Sequence, residues 1–383
     1  MRQNLRVGVD GTLIRKHGKG VSRFLVSFLK GFALNPPSGI ELRVFVTKTA
    51  ELPQMPKHSQ IRYITVNVIK QIAWDLWGFK QQLKAIGADF VFTLNDCVNI
   101  NHKYLLYYFE IPDYRFASNR INAGWYQKIS DQITKCFLKR TLMRASHIAA
   151  SSFFTRDDLL EKYTVPEEKI SVIYPAPDIL FIPCNSPKYK QQIRKKYRSE
   201  DGYLLHFSSN NDPRDNTGTL MKAFSLSLSL MPHNCKLVVC GVDRLRSFGW
   251  GETLHKLGLA DKIIFTGFIS NKDLCEVYQG ADAYIDTSLY EGFGFQVVEA
   301  MACGLPIICS CTSSLPEVAK DAAIFVDQNN KQSIADAIVS VIGDRDKRRE
   351  LSEKSLQQVK KFSWERTTRE IVALLESFSK DVL

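Results

Sequence analysis

The 383-residue chain contains no apolar run long enough to span a bilayer, which argues against an integral membrane protein. No G-x-G-x-x-G string follows the first strand-like run of either half, so a dinucleotide oxidoreductase is the weakest enzyme reading. Zinc-finger spacing, RNP-like strings and Lys/Arg blocks interleaved with aromatics are also missing, and nucleic acid is not an expected partner. The nine cysteines are odd in number and show no paired zinc-ligand spacing; Cys240, Cys303, Cys309 and Cys311 lie in apolar runs. They are expected to be small buried hydrophobes of a reducing compartment. No signal peptide precedes residues 6–9, which already read as a buried strand, so a cytoplasmic location is expected.

Composition is that of a soluble globular enzyme, 45% hydrophobic and 24% charged, and the length favours two domains. The net charge of +11 lies almost wholly in the first half, with +10 on residues 1–185 and +1 on residues 186–383. A basic half suits an anionic membrane surface or a lipid-phosphate acceptor, or is a set of solvated lysines. Trp74 and Trp77 stand three apart in a helical stretch continued by Lys80 and Lys84, and Lys135, Lys139, Arg140 and Arg144 add charge. The two indoles could share a membrane-facing helical side or both pack into the core. The first reading places the protein peripherally at the inner face of a membrane.

Short apolar runs alternate with helix-length amphipathic segments, the pattern of βα units and parallel sheets. Strands are expected at residues 6–9, 42–47, 62–66, 90–94, 105–109, 147–150 and 170–174, then at 203–208, 236–240, 263–266, 283–286, 306–309 and 323–326. Residues 175–187 hold four prolines and no helical period, and read as the interdomain connection. The expected domains are 1–180 and 188–360. A last amphipathic helix within 361–383 either packs back on the first domain or caps the second.

The most informative stretch is AYIDTSLYEGFGFQVVEAMACGLPII at residues 283–308. A buried strand leads into a Gly-rich acidic turn, then a helix stopped by Gly304 and Pro306. Gly292 and Gly294 let backbone approach a ligand, and a helix start offers amides and a positive dipole end to an anion. With Glu291 in the turn and Glu299 in the helix, the pattern outlines a sugar-nucleotide site.

Extended through EGFGFQVVEAMACGLPIICSCTSSLPEVAKDAAIFVD, this string closely resembles the donor-site signature of retaining glycosyltransferases of family 4. The resemblance implies the GT-B fold, two Rossmann-like doubly wound α/β domains facing across a cleft. It implies that Glu299 holds the ribose hydroxyls, while Glu291 and the amides of Gly292, Phe293, Gly294 and Phe295 contact the donor sugar and phosphates. GKGVSRF, from Gly18 to Phe24, looks like the family's first glycine loop, whose Gly20 faces the donor. In FTGFIS, the turn at Gly267 would lie against the nucleobase. The segments ASSFFTRDDLLEKYTVPEEKISVIYPAPD and DKIIFTGFISNKDLCEVYQGADAYIDTS resemble the family as well.

Three departures from the family pattern bear on mechanism. In HFSSNNDPRDNTGTL, Ser209 falls where relatives carry an Arg, Arg214 is kept, and Asp215 replaces a Lys. An anion beside a diphosphate is adverse, so either Arg214 turns into the site or the basic loop of Arg15, Lys16, Lys19 and Arg23 compensates. In YYFEIPDYRF, Phe109 and Glu110 stand where relatives carry a His–Asp pair. Glu110 and Arg23 are then the acceptor-side candidates, and Glu291 and Arg214 the catalytic ones.

The activity implied is retaining, metal-independent hexosyl transfer from a nucleotide-diphosphate sugar to a polysaccharide or glycolipid acceptor. No cofactor and no metal are expected, because no Asp-x-Asp string is found that would hold a divalent ion to a diphosphate. A non-catalytic glycosyltransferase-like binding subunit and a GT-B sugar-nucleotide epimerase are the alternatives.

Overall fold

In the computed structural model the described residues are 4–379, excepting 17, 19, 49–50, 96–98, 111–136, 209–211, 232–233 and 243–249. They form two compact units, one built on the chain up to Ala176 together with Ser363 onward, the other on Pro177–Phe362.

The first unit carries a seven-stranded sheet of β1 (Leu5–Asp10), β2 (Ile40–Thr47), β3 (Ile61–Val66), β4 (Phe90–Thr93), β5 (Tyr104–Tyr108), β6 (His147–Ala150) and β7 (Ile170–Val172). Its order is β3-β2-β1-β4-β5-β6-β7, with every pairing parallel. The second unit holds β8 (Tyr203–Phe207), β9 (Lys236–Cys240), β10 (Ile263–Phe265), β11 (Ala283–Asp286), β12 (Ile307–Ser310) and β13 (Ala323–Val326), ordered β10-β9-β8-β11-β12-β13 and again parallel. All thirteen apolar runs of the sequence are therefore strands, with ends shifted by one or two residues. The inner strands β4, β5, β8, β9, β11 and β12 read as largely apolar runs because a parallel sheet is covered on both faces there, whereas the edge strands β3 and β13 are partly exposed. In each sheet the winding reverses beside the first strand, at the C-terminal ends of β1 and β4 and of β8 and β11, where doubly wound folds bind ligands.

Helix α1 (Val21–Leu34) shows how the first core is built. Phe24, Phe28 and Phe32 recur every four residues and point one way, onto the sheet. The Phe24 ring lies 4.1 Å from Tyr107, and Phe28 lies 4.9 Å from Phe92. The last helix, Trp364–Ser379, covers the same side: Trp364 packs edge-on to Phe24, Phe378 stacks on Phe90, and Ile371 and Leu375 are buried.

The indole pair departs from the expected geometry. Trp74–Gly78 winds as a π-helical turn, which breaks the three-residue spacing that would put both rings on one side. Trp74 is 5% exposed and donates its Nε1 hydrogen to Asp10 at 3.3 Å, whereas Trp77 is 60% exposed. One indole is core and one is surface. Lys80 and Lys84 are exposed in the helix Phe79–Ile86 that follows. Cys311 is exposed rather than buried, because it falls one residue beyond β12. No helix among the described residues is long and apolar enough to cross a membrane.

Gly31 sets how closely α1 and the last helix approach, since a Cβ there would lie 2.3 Å from Thr368 Oγ1. Gly31→Ala is expected to cost about 1–3 kcal/mol by overpacking. Adding Thr368→Ala should recover much of that loss. Urea midpoints of the two variants test this, and a Gly31→Ala midpoint equal to wild type would contradict it.

Candidate functional site

The residues of the Gly-rich motif come together at the point where the second sheet reverses. The segment leaving β8 and the segment leaving β11 run side by side there. Leu289 donates its backbone N–H to the Arg214 carbonyl at 2.7 Å, and Thr287 Oγ1 donates to the Asp215 carbonyl at 3.2 Å. Beneath them His206 ties three elements together. Its Nδ1 lies 3.0 Å from the Ile285 carbonyl, which can only accept, so Nδ1 carries the proton. Nε2 then accepts from Thr217 Oγ1 at 3.0 Å. Burial lowers the His206 pKa, and the ring stays neutral as a strut rather than a proton donor.

The turn itself is clamped from a second side. Glu291 donates its backbone N–H to Ser313 Oγ at 3.0 Å, and its carbonyl accepts from Ser314 Oγ at 2.9 Å. Ser313 has φ of 56°, an uncommon value for a residue with a side chain. Gly294 then opens helix α3 (Phe295–Ala302; α2 is Asn271–Gly280) with φ of 84°, and an added Cβ would lie 2.7 Å from Leu315 Cδ2. Glycine is required there on both counts. The first turn of α3 presents the positive end of the helix dipole, and Val297 and Val298 donate their N–H groups to the Gly294 carbonyl at 3.0 and 3.3 Å. The Phe293 ring is buried between Phe295 and Phe362.

Glu299 lies one turn into α3 and is 2% exposed. Tyr278 on α2 donates to its Oε2 at 3.0 Å, which fixes the carboxylate from one side. Gly267 follows β10 with φ of 67°, and Phe268 beside it is 59% exposed.

Arg214 is not an isolated cation. Its guanidinium pairs with Asp212, at 3.1 Å from Nη2 to Oδ2, and Asp212 also caps the Arg214 backbone N–H at 3.0 Å. In the first unit Arg15 donates to the carbonyls of Thr12 and Ile14 and to Thr47 Oγ1, holding its own loop, while Lys16 pairs with Glu51. Gly20 opens α1 at φ of 43°, Arg23 stands in its first turn, and Glu110 lies two residues past β5, both side chains half-buried. Phe109 packs edge-on to Phe24 and beside Tyr107. Ser209, Lys19 and Lys135 lie outside the described residues. An Asp-x-Asp string does occur at Asp344 and Asp346, but Asp344 caps the helix Arg345–Gln358 and Asp346 pairs with Arg349. Among the described residues no group of three or more His, Cys, Asp or Glu could hold a metal ion.

A second cluster at the reversal of the first sheet has no counterpart in the motif reading. Asp10, at the end of β1, accepts from the Thr12 N–H and hydroxyl and from Trp74. Asp75 accepts from Gln71 at 2.9 Å and from Asn95 at 2.7 Å. Burial raises both pKa values, Asp75 to about 7, with the Asp10 charge adding to the effect. An Asp closing the first strand at the reversal point was the sequence signal available for it.

Residues 189–358 match the family model described as "Glycosyl transferases group 1". The O-antigen chain mannosyltransferase B of Escherichia coli is 30% identical over 240 residues, covering 61% of this chain and 61% of that protein. The D-inositol 3-phosphate glycosyltransferase of Salinispora tropica is 24% identical over 247 residues, covering 61% of this chain and 51% of its own length. The chain thus matches little more than half the length of these curated relatives. Sucrose-phosphate synthase from Thermosynechococcus elongatus superposes with a TM-score of 0.76 at 20% identity, covering 99% of this chain and all of that one. HepE of Anabaena, solved in complex with UDP-glucose, superposes with a TM-score of 0.73 at 16% identity over 98% of this chain and all of its own. The fold is that of the GT-B glycosyltransferases.

The Asp10–Asp75 cluster gives stability a pH dependence. Asp75 keeps its proton in the folded chain up to about pH 7, whereas unfolded Asp loses it near pH 4. The folded state therefore binds more protons across that window, and stability falls as pH rises through it, by at most about 1.4 kcal/mol per unit. Asp75→Asn keeps an acceptor for Gln71 and Asn95 and removes the titration. The variant is expected to melt above wild type at pH 8 and to differ little at pH 4. Parallel melting curves at the two pH values would contradict the assignment.

Proposed function

Since residues 189–358 belong to the glycosyl transferases group 1 family, we propose that the chain transfers a hexose from a nucleoside-diphosphate sugar, with retention of anomeric configuration, to a glycan or lipid-linked glycan acceptor. One observation carries this reading: a buried, Tyr278-held Glu299 lies one turn inside a helix whose amides open behind Gly294, at the reversal of the second sheet. Ribose hydroxyls need an acceptor at a fixed depth, and a diphosphate needs donors about one turn away. That helix supplies both.

In the proposed reaction the acceptor oxygen attacks the anomeric carbon on the face from which the phosphate leaves. Charge grows on the departing phosphate, and groups aimed at that oxygen before the reaction lower the barrier. The amides from Gly292 to Phe295 serve this role. Arg214, held in place by Asp212, supplies the positive charge. Asp212 and Asp215 offset part of it, so the amides carry a larger share here than in relatives with a second cation. Glu291, clamped by Ser313 and Ser314, is placed at the donor sugar, and the exposed Phe268 ring beside Gly267 is suited to stack on a base. No metal step is required by this arrangement. The exposed Trp77, with Lys80 and Lys84 beyond it, is the element we would place against an anionic membrane presenting the acceptor.

A second reading, a nucleotide-binding subunit without turnover, is favoured by Phe109. Its ring packs into the first core at a position where a sugar-binding histidine is expected. Release of the sugar from the donor separates the two readings.

Glu299→Gln keeps the shape and the Tyr278 contact but removes the charge. Affinity for a free nucleoside diphosphate is expected to fall about tenfold, the value of one hydrogen bond to a charged group. Titration calorimetry on wild type and variant measures it, and unchanged affinity would refute the ribose assignment. Transfer activity is expected to survive excess chelator. Loss restored by a divalent ion would show that a metal, not the amides and Arg214, stabilises the leaving phosphate.

A further inference from the structure

We propose that Phe181, in the proline-containing connector that enters the second unit, is a positioning residue for the donor site: it seats Tyr278, and Tyr278 holds Glu299. The proposal rests on the reading of Glu299 as the ribose carboxylate. All the residues concerned lie in the second unit. The connector is apolar from Ile179 to Ile182, yet Ile179, Leu180 and Ile182 are 83%, 61% and 56% exposed, and Phe181 is 7% exposed. A turn at Asp178 sets this choice. Its carbonyl accepts from the Phe181 N–H at 3.0 Å, and its Oδ1 accepts from the Leu180 N–H at 3.1 Å.

One face of α2 receives the inward ring. Cys275, Tyr278 and Gln279 stand at i, i+3 and i+4, so they lie side by side on the helix. The Cys275 S–H donates to the Leu180 carbonyl at 2.9 Å, and Gln279 Nε2 donates to the Ile182 carbonyl at 2.9 Å. Between these two bonds Phe181 packs edge-on to Tyr278, with ring centres 5.5 Å apart. Phe207 of β8 and Tyr284 of β11 approach the same Tyr278 ring at 5.3 and 6.0 Å. The connector thus supplies one wall of an aromatic cage whose other walls come from the sheet.

The cage matters because the Tyr278 hydroxyl has one hydrogen and two acceptors within reach. Glu299 Oε2 lies at 3.0 Å and the Gln296 carbonyl at 3.4 Å. A small tilt of the ring decides between them. Without Phe181 the fully buried Tyr278 ring would border a void and lose the packing contacts that fix its tilt. The hydroxyl would then be shared with Gln296, and the carboxylate would no longer be held at one depth. Its bonds to ribose hydroxyls would weaken, whereas bonds from backbone amides to the phosphates would not.

The test is calorimetric titration of the full chain with UDP and with GDP, each beside its 2′-deoxy analogue. For the nucleotide that binds, wild type is expected to favour the ribose form by about tenfold, the worth of one hydrogen bond to a charged group. In Phe181→Ala that preference should fall to about threefold, the loss of one edge-on aromatic pair. Tyr278→Phe should lower it likewise, and adding Phe181→Ala to Tyr278→Phe should lower it no further. Phe181→Leu fills most of the same space and should give an intermediate preference, which keeps the test readable if the alanine variant does not fold. Ile179→Ala, at the exposed neighbour, should leave the preference at its wild-type value. A preference unchanged in the Phe181 variants, even with both forms of the nucleotide bound more weakly, would overturn the role of Phe181 and leave the ribose reading standing. No binding, or no preference in wild type, would instead refute the ribose reading and this inference with it.

Discussion

Because β8 lies between β9 and β11, the segments leaving the C-terminal ends of β8 and β11 must run side by side, and everything at the candidate site depends on that constraint. The bond from Leu289 to the Arg214 carbonyl is its local expression. It fixes the acidic turn against the arginine turn, and His206 locks both to the sheet from below. Gly294 then has to reverse the chain into α3 in a space that Leu315 closes to any side chain. The helix start, the carboxylate one turn in, and Arg214 are brought together by backbone topology before any ligand is considered.

The two reversal points put their carboxylates to different uses. In the first sheet Asp10 and Asp75 sit among Thr12, Gln71, Trp74 and Asn95, which meet the cost of burial with donors. Two such groups close together cannot both ionise cheaply, so one holds its proton towards neutrality. In the second sheet Glu299 is also buried, but Tyr278 engages one of its oxygens from the neighbouring helix. The same helix, through Cys275 and Gln279, grips the connector. The buried Glu299 carboxylate and the connector are thus linked through α2.

Much of this was legible in the sequence because parallel strands are apolar on both faces, so each announces itself as a short run such as KLVVC at Lys236–Cys240. The Gly-rich turn was legible because few residue types tolerate the backbone at Gly294 and stop a helix at Gly304. Other features carried no local signal. The π-helical turn at Trp74–Gly78 is imposed by tertiary packing, and it sends Trp74 inward to Asp10 while Trp77 stays out. The pairing of Arg214 with Asp212 depends on a tight turn, not on spacing. The clamp on Glu291 comes from Ser313 and Ser314, more than twenty residues away.

The most direct test is a crystal structure of the full chain grown with a nucleoside diphosphate. Density is expected with the ribose hydroxyls on Glu299, the phosphates at the amides between Gly292 and Phe295, and the Arg214 guanidinium turned to them. A nucleotide bound with its ribose away from Glu299, or phosphates held elsewhere in the second unit, would contradict the donor site.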